Sequence, residues 1–333
     1  MEQSTAKRRG FNFKQTLKNI LRSESISLVL AFVVIVAVFS ILNKNYFTSR
    51  NLISVLTSAS LTGLITVGEA LLLIGNHMDL SVGSTAAFSG VMAALLLQQG
   101  LPAGVTILTV VAAGEVLGAV IAFCVTQLKM SSFIATVAMQ SIMRGFAFII
   151  SNGEGVLITN STFLKMGNFK FFGLSFLTFP IFFMLLVFVL FGIILKRTRF
   201  GREIYIVGGN PVAARLAGIS IKFTTYMLFI IMNVLTAIGG MILAARMNTG
   251  QPQACVGLEF DGITAAILGG VSNQGGVGSI FGAFLGLAIL QGFNNGLIML
   301  NVQSFWQNVA KGALLLLALT FDYIRQKNRQ KAK

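Results

Sequence analysis

The stretch Ile26-Ser-Leu-Val-Leu-Ala-Phe-Val-Val-Ile-Val-Ala-Val-Phe-Ser-Ile-Leu42 contains no charged residue. A helix crosses the hydrocarbon core of a bilayer with about 20 mostly apolar residues, so this stretch predicts a membrane span. Further apolar runs occupy 52–74, 80–98, 102–127, 131–151, 176–195, 223–245, 262–272, 277–299 and 304–324. The sequence therefore predicts an all-α, polytopic membrane helix bundle with about ten transmembrane helices.

The composition of the whole chain also favours a membrane protein. Of its 333 residues, 55% are hydrophobic and only 11% are charged, and its mean hydropathy is +0.83. A soluble chain usually carries about 25% charged residues. The net charge of +15 does not indicate nucleic acid, because long apolar runs separate the basic residues. Two cysteines, Cys124 and Cys255, exclude a disulfide scaffold.

The basic residues predict the orientation of the bundle. An uncleaved first helix and an even number of spans would place both termini in the cytoplasm. In that topology 18 of the 25 Lys and Arg residues lie in cytoplasmic segments and five in external loops. We therefore expect a basic cytoplasmic N-terminus (1–24), a transmembrane domain (25–324) with a long cytoplasmic loop (196–222), and a basic cytoplasmic tail (325–333). The expected location is the inner membrane of a bacterial cell.

The apolar pattern is interrupted at two places. The residues Gly75-Asn76-His77-Met78-Asp79 separate two apolar runs and predict either a tight turn or a break buried in protein. The run 262–272 is short and flanked by glycine, which predicts a half-helix or a re-entrant segment. The segments 68–84 and 263–279 share six identical residues, a weak sign of two related halves. Glycines four residues apart, as in Gly114/Gly118, predict helices that approach closely.

The sequence offers little chemistry for an enzyme. It has no G-x-x-x-x-G-K-[ST] phosphate loop, a single histidine, His77, and no C-x-x-C pair. We therefore expect no catalytic residue, no metal site and no cofactor on this chain. Transport is the default interpretation.

Polar residues inside an apolar bundle are costly and mark candidate pathways. The predicted pathway residues are Glu69, Asp79, Glu115, Asn294, Asn295 and Gln251. The external loop that carries Gln251 also holds Gln253 and Glu259, which could line a vestibule. The alternative is structural, for instance an ion pair between Arg144 and Glu69 or Glu115, and Lys311 is better explained as structural.

The loop 196–222 contains the most informative local pattern. Asn210 can cap a short helix, Pro211 suits the first turn and Gly218 can end it. Such a helix between two spans could dock into a groove of a partner or lie on anionic lipid.

Four stretches of the sequence resemble the ribose-type ABC importer permeases. The stretches are Gly201–Ile219, Asp79-Leu-Ser-Val-Gly-Ser84, Phe133-Ile-Ala-Thr-Val with Arg144-Gly145, and Phe260-Asp-Gly-Ile-Thr-Ala-Ala-Ile-Leu-Gly-Gly-Val-Ser with the glycine-rich and Asn-Asn segments that follow it. The resemblance covers roughly residues 50 to 320 in the same order. It implies the ABC importer permease fold and translocation of a ribose-like or related sugar.

The same resemblance implies several partners. These are a cytoplasmic ABC ATPase that carries ATP and Mg²⁺, a periplasmic or lipid-anchored sugar-binding protein, and a second permease, identical or related, with membrane lipid around them. It places the ATPase-coupling residues at Gly208, Gly209, Asn210, Arg215 and Gly218. The acids Glu69 and Glu115 depart from the family pattern, which is usually neutral there.

Two other functions stay open at this point. In an ion-coupled secondary transporter, Glu69, Asp79 and Glu115 would bind protons or Na⁺, and the chain would work alone. A membrane scaffold or sensor would move no solute at all.

Overall fold

The computed structural model describes residues 24–174 and 176–331, and this part of the chain folds into thirteen α-helices. Their bounds are α1 Glu24–Leu42, α2 Ser49–Ile74, α3 Val82–Gln98, α4 Ala103–Thr126, α5 Ser132–Ser151, α6 Ser161–Asn168, α7 Phe179–Arg197, α8 Arg199–Gly209, α9 Pro211–Leu216, α10 Ile221–Met247, α11 Leu258–Leu268, α12 Ile280–Met299 and α13 Ser304–Lys331. Two short strands, β1 Val156–Leu157 and β2 Thr249–Gly250, pair antiparallel.

Helix α2 is the central element of the bundle. Every residue from Ala59 to Ile74 is buried, since α7, α10, α11 and α12 all pack around it. Helix α10 packs in turn against α3 and α4. Apolar surface that remains exposed lies on the outer helices, for example at Leu108 of α4 and Val189 of α7. This distribution is the one expected for a bundle whose outer surface meets lipid.

Glycines allow the close approaches that the sequence predicts. A side chain on Gly118 of α4 would collide with the backbone of Phe229 in α10, and one on Gly286 of α12 would collide with Ala265 in α11. The small residues at helical spacing are therefore packing positions between neighbouring helices.

The ten predicted apolar runs all coincide with helices of the structure. Six of these helices are long and apolar enough to cross a membrane, namely α2, α4, α5, α7, α10 and α12, and shorter apolar helices occupy Ile26–Leu42 and Val82–Gln98. The structure is thus a polytopic helical bundle. Of the predicted domains, the N-terminal segment lies outside the described residues except for Glu24, and the basic tail continues α13 as far as Lys331.

Each of the two interrupted regions is a non-helical segment between two helices. After α2 the chain is non-helical until Val82, and after α11 it is non-helical until Ile280. The two segments that resemble each other, 68–84 and 263–279, each run from the end of a helix through such a break. At 11 residues, α11 is about 16 Å long, roughly half the thickness of a bilayer core.

Candidate functional site

The break after α2 carries Asp79 into the middle of the bundle. Its Oδ1 accepts hydrogen bonds from the backbone N–H of Ser81 at 2.8 Å and from the Ser81 hydroxyl at 2.5 Å. Its Oδ2 accepts one from Nδ2 of Asn233 at 3.0 Å, close to the middle of α10. The carboxyl group is fully buried. Asp79 therefore fixes the start of α3 to the centre of α10.

Two further acids lie beside Asp79, and together the three form what we call the acidic cluster: Glu69, Asp79 and Glu259. Glu69 on α2 is fully buried and lies within electrostatic reach of the other two; the backbone N–H of Asp79 faces its carboxyl group, and no side chain among the described residues donates a hydrogen bond to it. Glu259 lies in the first turn of α11 and is 3% exposed. Its Oε1 accepts a hydrogen bond from Nε2 of Gln140 on α5 at 3.0 Å.

Two helices begin at this cluster. Asp79 lies just before the first residue of α3, and Glu259 is the second residue of α11. A side chain on Gly83, in the first turn of α3, would collide with Glu259 and with the carbonyl of Cys255. Helix N-termini carry a partial positive charge that stabilises nearby acids. The broken helices thus direct two N-termini at one group of buried carboxyls.

Arg144 on α5 lies beside the acidic cluster and faces Glu259. Nη1 of Arg144 donates to the carbonyl oxygens of Pro252 at 2.6 Å and Ala254 at 2.8 Å, in the loop that enters α11. The ion pair of Arg144 with Glu69 or Glu115, the example given for the structural alternative, is not found among the described residues, and the guanidinium bonds these backbone oxygens instead. Arg144 instead anchors the loop that positions Glu259, one of the charges it faces.

The structure places the six predicted pathway residues in four regions. Glu69 and Asp79 come together in the acidic cluster. Glu115 is exposed on the outer face of α4, close to the middle of that helix. Gln251 is only weakly bonded, to Thr249 at 3.5 Å, in the loop that follows β2.

The two remaining predicted residues, Asn294 and Asn295, lie near the C-terminal end of α12. Asn295 exchanges two hydrogen bonds with Asn51 of α2, at 2.8 and 3.0 Å, so its amide holds helices together. Asn294 is 9% exposed, and its Oδ1 has no partner among the described residues. These amides do not contact the acidic cluster.

Two residues of the site, Gln140 and Asn233, are not indicated by the sequence motifs. Glu259 is predicted to line a vestibule from an external loop that runs into a short helix, whereas the structure places it in the first turn of that helix. The helix that carries Glu259 begins at Leu258 rather than 262, because Gly257 takes a left-handed conformation (φ 82°) that starts it earlier. Two features of the sequence are consistent with this site: Asn233 is an amide in the apolar middle of α10, and Gln140 lies one helical turn before Arg144.

The loop 196–222 forms two short helices rather than one. Asn210 separates α8 from α9, and its Oδ1 accepts the backbone N–H of Ala213 at 3.0 Å, so the predicted cap is confirmed. Pro211 is in the first turn, and Gly218 follows with a left-handed φ of 75°. The family resemblance places the coupling helix at Gly208 to Ile219, but in the structure Gly208 and Gly209 end α8 and α9 begins at Pro211.

The surface of α9 combines apolar and basic side chains. Val212 and Leu216 are 70% and 85% exposed, and Arg215 between them is exposed as well. Ala214 points inward and is buried. A helix with exposed apolar residues beside a cation has the character of a docking element.

The end of α8 touches both helix breaks, and we call this contact the glycine junction: Gly208, Gly209, Gly275, Gly276 and Ile74. The backbone N–H of Gly276 donates to the carbonyl of Ile74 at 2.8 Å. A side chain on Gly208 would collide with that same carbonyl, and one on Gly275 would come within 2.5 Å of the Gly208 oxygen. Backbone therefore packs on backbone, linking α8–α9 to both breaks.

A multi-pass bundle with buried acids where two helices break, and a helical loop at one end, defines a membrane transport component. The sequence profile of the family described as branched-chain amino acid transport system / permease component matches residues 51–319, so the chain belongs to that family.

Individual relatives cover nearly the whole chain. The L-arabinose ABC transporter permease protein of Azospirillum brasilense is 37% identical over 92% of this chain and 89% of its own length. The ribose import permease proteins of Escherichia coli K12 and Bacillus subtilis are each 35% identical, over 90% and 88% of this chain and 93% and 91% of their own lengths. These relatives do not favour the ion-coupled transporter.

One solved structure resembles the chain weakly. It is PsaBC from Streptococcus pneumoniae in complex with Fab, with a TM-score of 0.43, 16% identity, and coverage of 84% of this chain and 91% of that chain. A similarity at this level carries no argument about the fold.

Proposed function

We propose that this chain is the permease subunit of a binding-protein-dependent ABC importer that moves a ribose- or arabinose-like sugar into the cytoplasm. The observation that supports this most strongly is the glycine junction, because it connects a surface helix suited to docking with the break that carries Asp79. Relatives at 35–37% identity are named as ribose and arabinose permeases.

The proposed topology has ten membrane crossings with both termini in the cytoplasm, in a bacterial inner membrane. Eight crossings use the six long and two shorter apolar helices, and α11 and α13 supply the other two. Because α11 is too short to cross alone, the loop 251–257 completes its path. The distribution of Lys and Arg supports this orientation.

In this proposal α9 contacts a cytoplasmic ATPase that carries ATP and Mg²⁺, since the chain has no phosphate loop of its own. Val212 and Leu216 would fill an apolar groove, and Arg215 would meet an acid at its edge. A sugar-binding protein would deliver solute on the opposite side. A second permease, identical or related, would complete the path.

The acidic cluster is the proposed polar centre of the mechanism. Sugar hydroxyls donate hydrogen bonds, and carboxylates and amides accept them. Oε2 of Glu259 and the carboxyl group of Glu69 accept no side-chain hydrogen bond from the described residues, so they keep acceptor capacity for a solute. When the ATPase moves α8–α9, the glycine junction would shift both breaks together, opening the centre to one side of the membrane and then to the other.

The docking assignment is tested by reversing the charge of Arg215. We expect Arg215→Glu to insert normally and to lose co-purification of the ATPase, because the cation on α9 is replaced by an acid. The matched control is Lys129→Glu, which reverses an exposed charge in the predicted cytoplasmic loop between α4 and α5. Full ATPase recovery with Arg215→Glu would refute the assignment.

A further inference from the structure

A large apolar groove runs along the outside of the bundle between α7 and α12. Its volume is about 910 Å³, at the upper end of the range of ligand pockets, about 300–1,000 Å³. Its apolar walls are formed by Leu185, Phe188, Val189, Ile280, Phe281 and Phe284.

The groove combines a packed floor with an open rim. Phe188 is 6% exposed and meets the ring of Phe284 edge-on at 5.2 Å, so the floor is closed. Val189 and Phe281 are 61% and 62% exposed and form the sides. An apolar cleft of this shape on the outside of a membrane bundle fits an acyl chain.

Three cations lie at one end of the groove. Lys196 and Arg197 end α7, and Arg202 projects from α8. All three are exposed, and the two ion pairs found among the described residues, Arg199–Glu203 and Lys311–Asp261, involve none of them. Among the residues that the structure describes, none that lines the groove is acidic. The end of the groove is therefore an unneutralised positive site beside an apolar cleft.

We propose that this groove binds an anionic phospholipid, with its acyl chain between α7 and α12 and its phosphate among Lys196, Arg197 and Arg202. Basic pockets next to spanning helices select anionic headgroups in this way. The positive charge at the end of the groove also argues against the chain's own N-terminal segment as the occupant, because the three cations would repel a basic segment. That segment carries six basic residues: Lys7, Arg8, Arg9, Lys14, Lys18 and Arg22. This site depends on membrane insertion and not on which solute is transported.

Lipid retention by the purified full-length chain tests the proposal. The protein is exchanged into nanodiscs containing equal phosphatidylglycerol and phosphatidylcholine, released into detergent, and the retained lipids are counted by native mass spectrometry. Each basic residue near a headgroup contributes about fivefold to anionic lipid binding. We expect phosphatidylglycerol to be retained in preference to phosphatidylcholine by at least about tenfold.

Two variants separate the cations from the cleft. The triple variant Lys196→Gln/Arg197→Gln/Arg202→Gln should lose the preference, whereas Arg199→Gln, a change to an exposed and already paired cation on α8, should keep it. Gly192→Phe should also abolish retention by filling the cleft. A first carbon on Gly192 would meet Ile280 only at 3.9 Å, so the backbone is not disturbed.

Three results would overturn the proposal. The first is equal retention of the two lipids, which is the behaviour of general boundary lipid. The second is a triple variant that retains as much anionic lipid as Arg199→Gln. The third is retention that appears only after residues 2–22 are deleted, which would show that the chain's own N-terminal segment fills the groove.

Discussion

At the scale of single residues, two acids with the same burial differ in what surrounds them. Asp79 accepts three hydrogen bonds and joins α3 to α10, whereas Glu69 faces only the backbone N–H of Asp79 and no side-chain donor among the described residues. Both are fully buried. A buried carboxyl with several partners stabilises the elements it joins, while one with few partners keeps acceptor capacity for a ligand. Asp79 is therefore a structural anchor, and Glu69 is the better candidate for direct contact with solute.

We expect Asp79→Ala to lower the free energy of unfolding by roughly 2–4 kcal/mol, because the N–H of Ser81 and the amide of Asn233 lose their acceptor. Thermal unfolding in detergent checks this. The matched control is Glu115→Ala, which removes an exposed acid from α4 and should change stability by less than about 0.5 kcal/mol. Equal effects of the two substitutions would contradict the anchor role.

Glu69→Gln should leave the free energy of unfolding unchanged within about 1 kcal/mol, because glutamine has nearly the same shape and keeps an acceptor oxygen for the backbone N–H of Asp79. Solute uptake should nevertheless fall, since an acceptor at the centre of the path is altered. The two readouts are thermal unfolding and uptake by the same preparation. Destabilisation as large as that of Asp79→Ala would show that Glu69 is itself an anchor.

At the scale of elements, the glycine junction joins α8 to both helix breaks by backbone contacts. The glycine junction leaves no room for a side chain at Gly208, yet it leaves room at Gly209, whose nearest neighbour would be 3.6 Å away. Gly208 and Gly209 are adjacent on α8 and differ in the space around them. Alanine substitutions at these two positions therefore form a matched pair of variants.

Gly208→Ala should uncouple the ATPase from transport, because the added methyl group forces α8 away from Ile74. We expect stimulation of ATP hydrolysis by solute-loaded binding protein to fall roughly tenfold, while Gly209→Ala stays close to the unsubstituted protein. Steady-state ATPase assays of the reconstituted complex measure this. An equal response of both variants would mean that the junction does not transmit movement.

The elements themselves were largely predictable from the sequence, and their contacts were not. Apolar runs located ten helices, because lipid exposure requires such runs, and Asn210 with Pro211 located the start of α9. The interruption that begins at Gly75 also indicated Asp79 as a candidate site residue. The partners of Asp79 and Glu259, Asn233 and Gln140, lie 154 and 119 residues away in sequence, and no local pattern encodes such a pairing.

At the scale of the whole molecule, the proposed orientation accounts for the excess of basic residues. Of the 25 Lys and Arg residues, 18 fall on the side where α8 and α9 lie, if the chain crosses ten times. Within the described residues, the buried acids are those of the acidic cluster, which offers hydrogen-bond acceptors to a solute. In the proposed orientation one face is basic and open to a cytoplasmic ATPase, and the interior is suited to a solute that donates hydrogen bonds.

Solute uptake by proteoliposomes tests the account most directly. The vesicles contain this chain with its ATPase and binding protein, and radiolabelled ribose or L-arabinose is added outside. We predict uptake that requires internal ATP and the binding protein, and that a proton or Na⁺ gradient cannot replace. Uptake by the chain alone, driven by an ion gradient without ATP, would contradict the account.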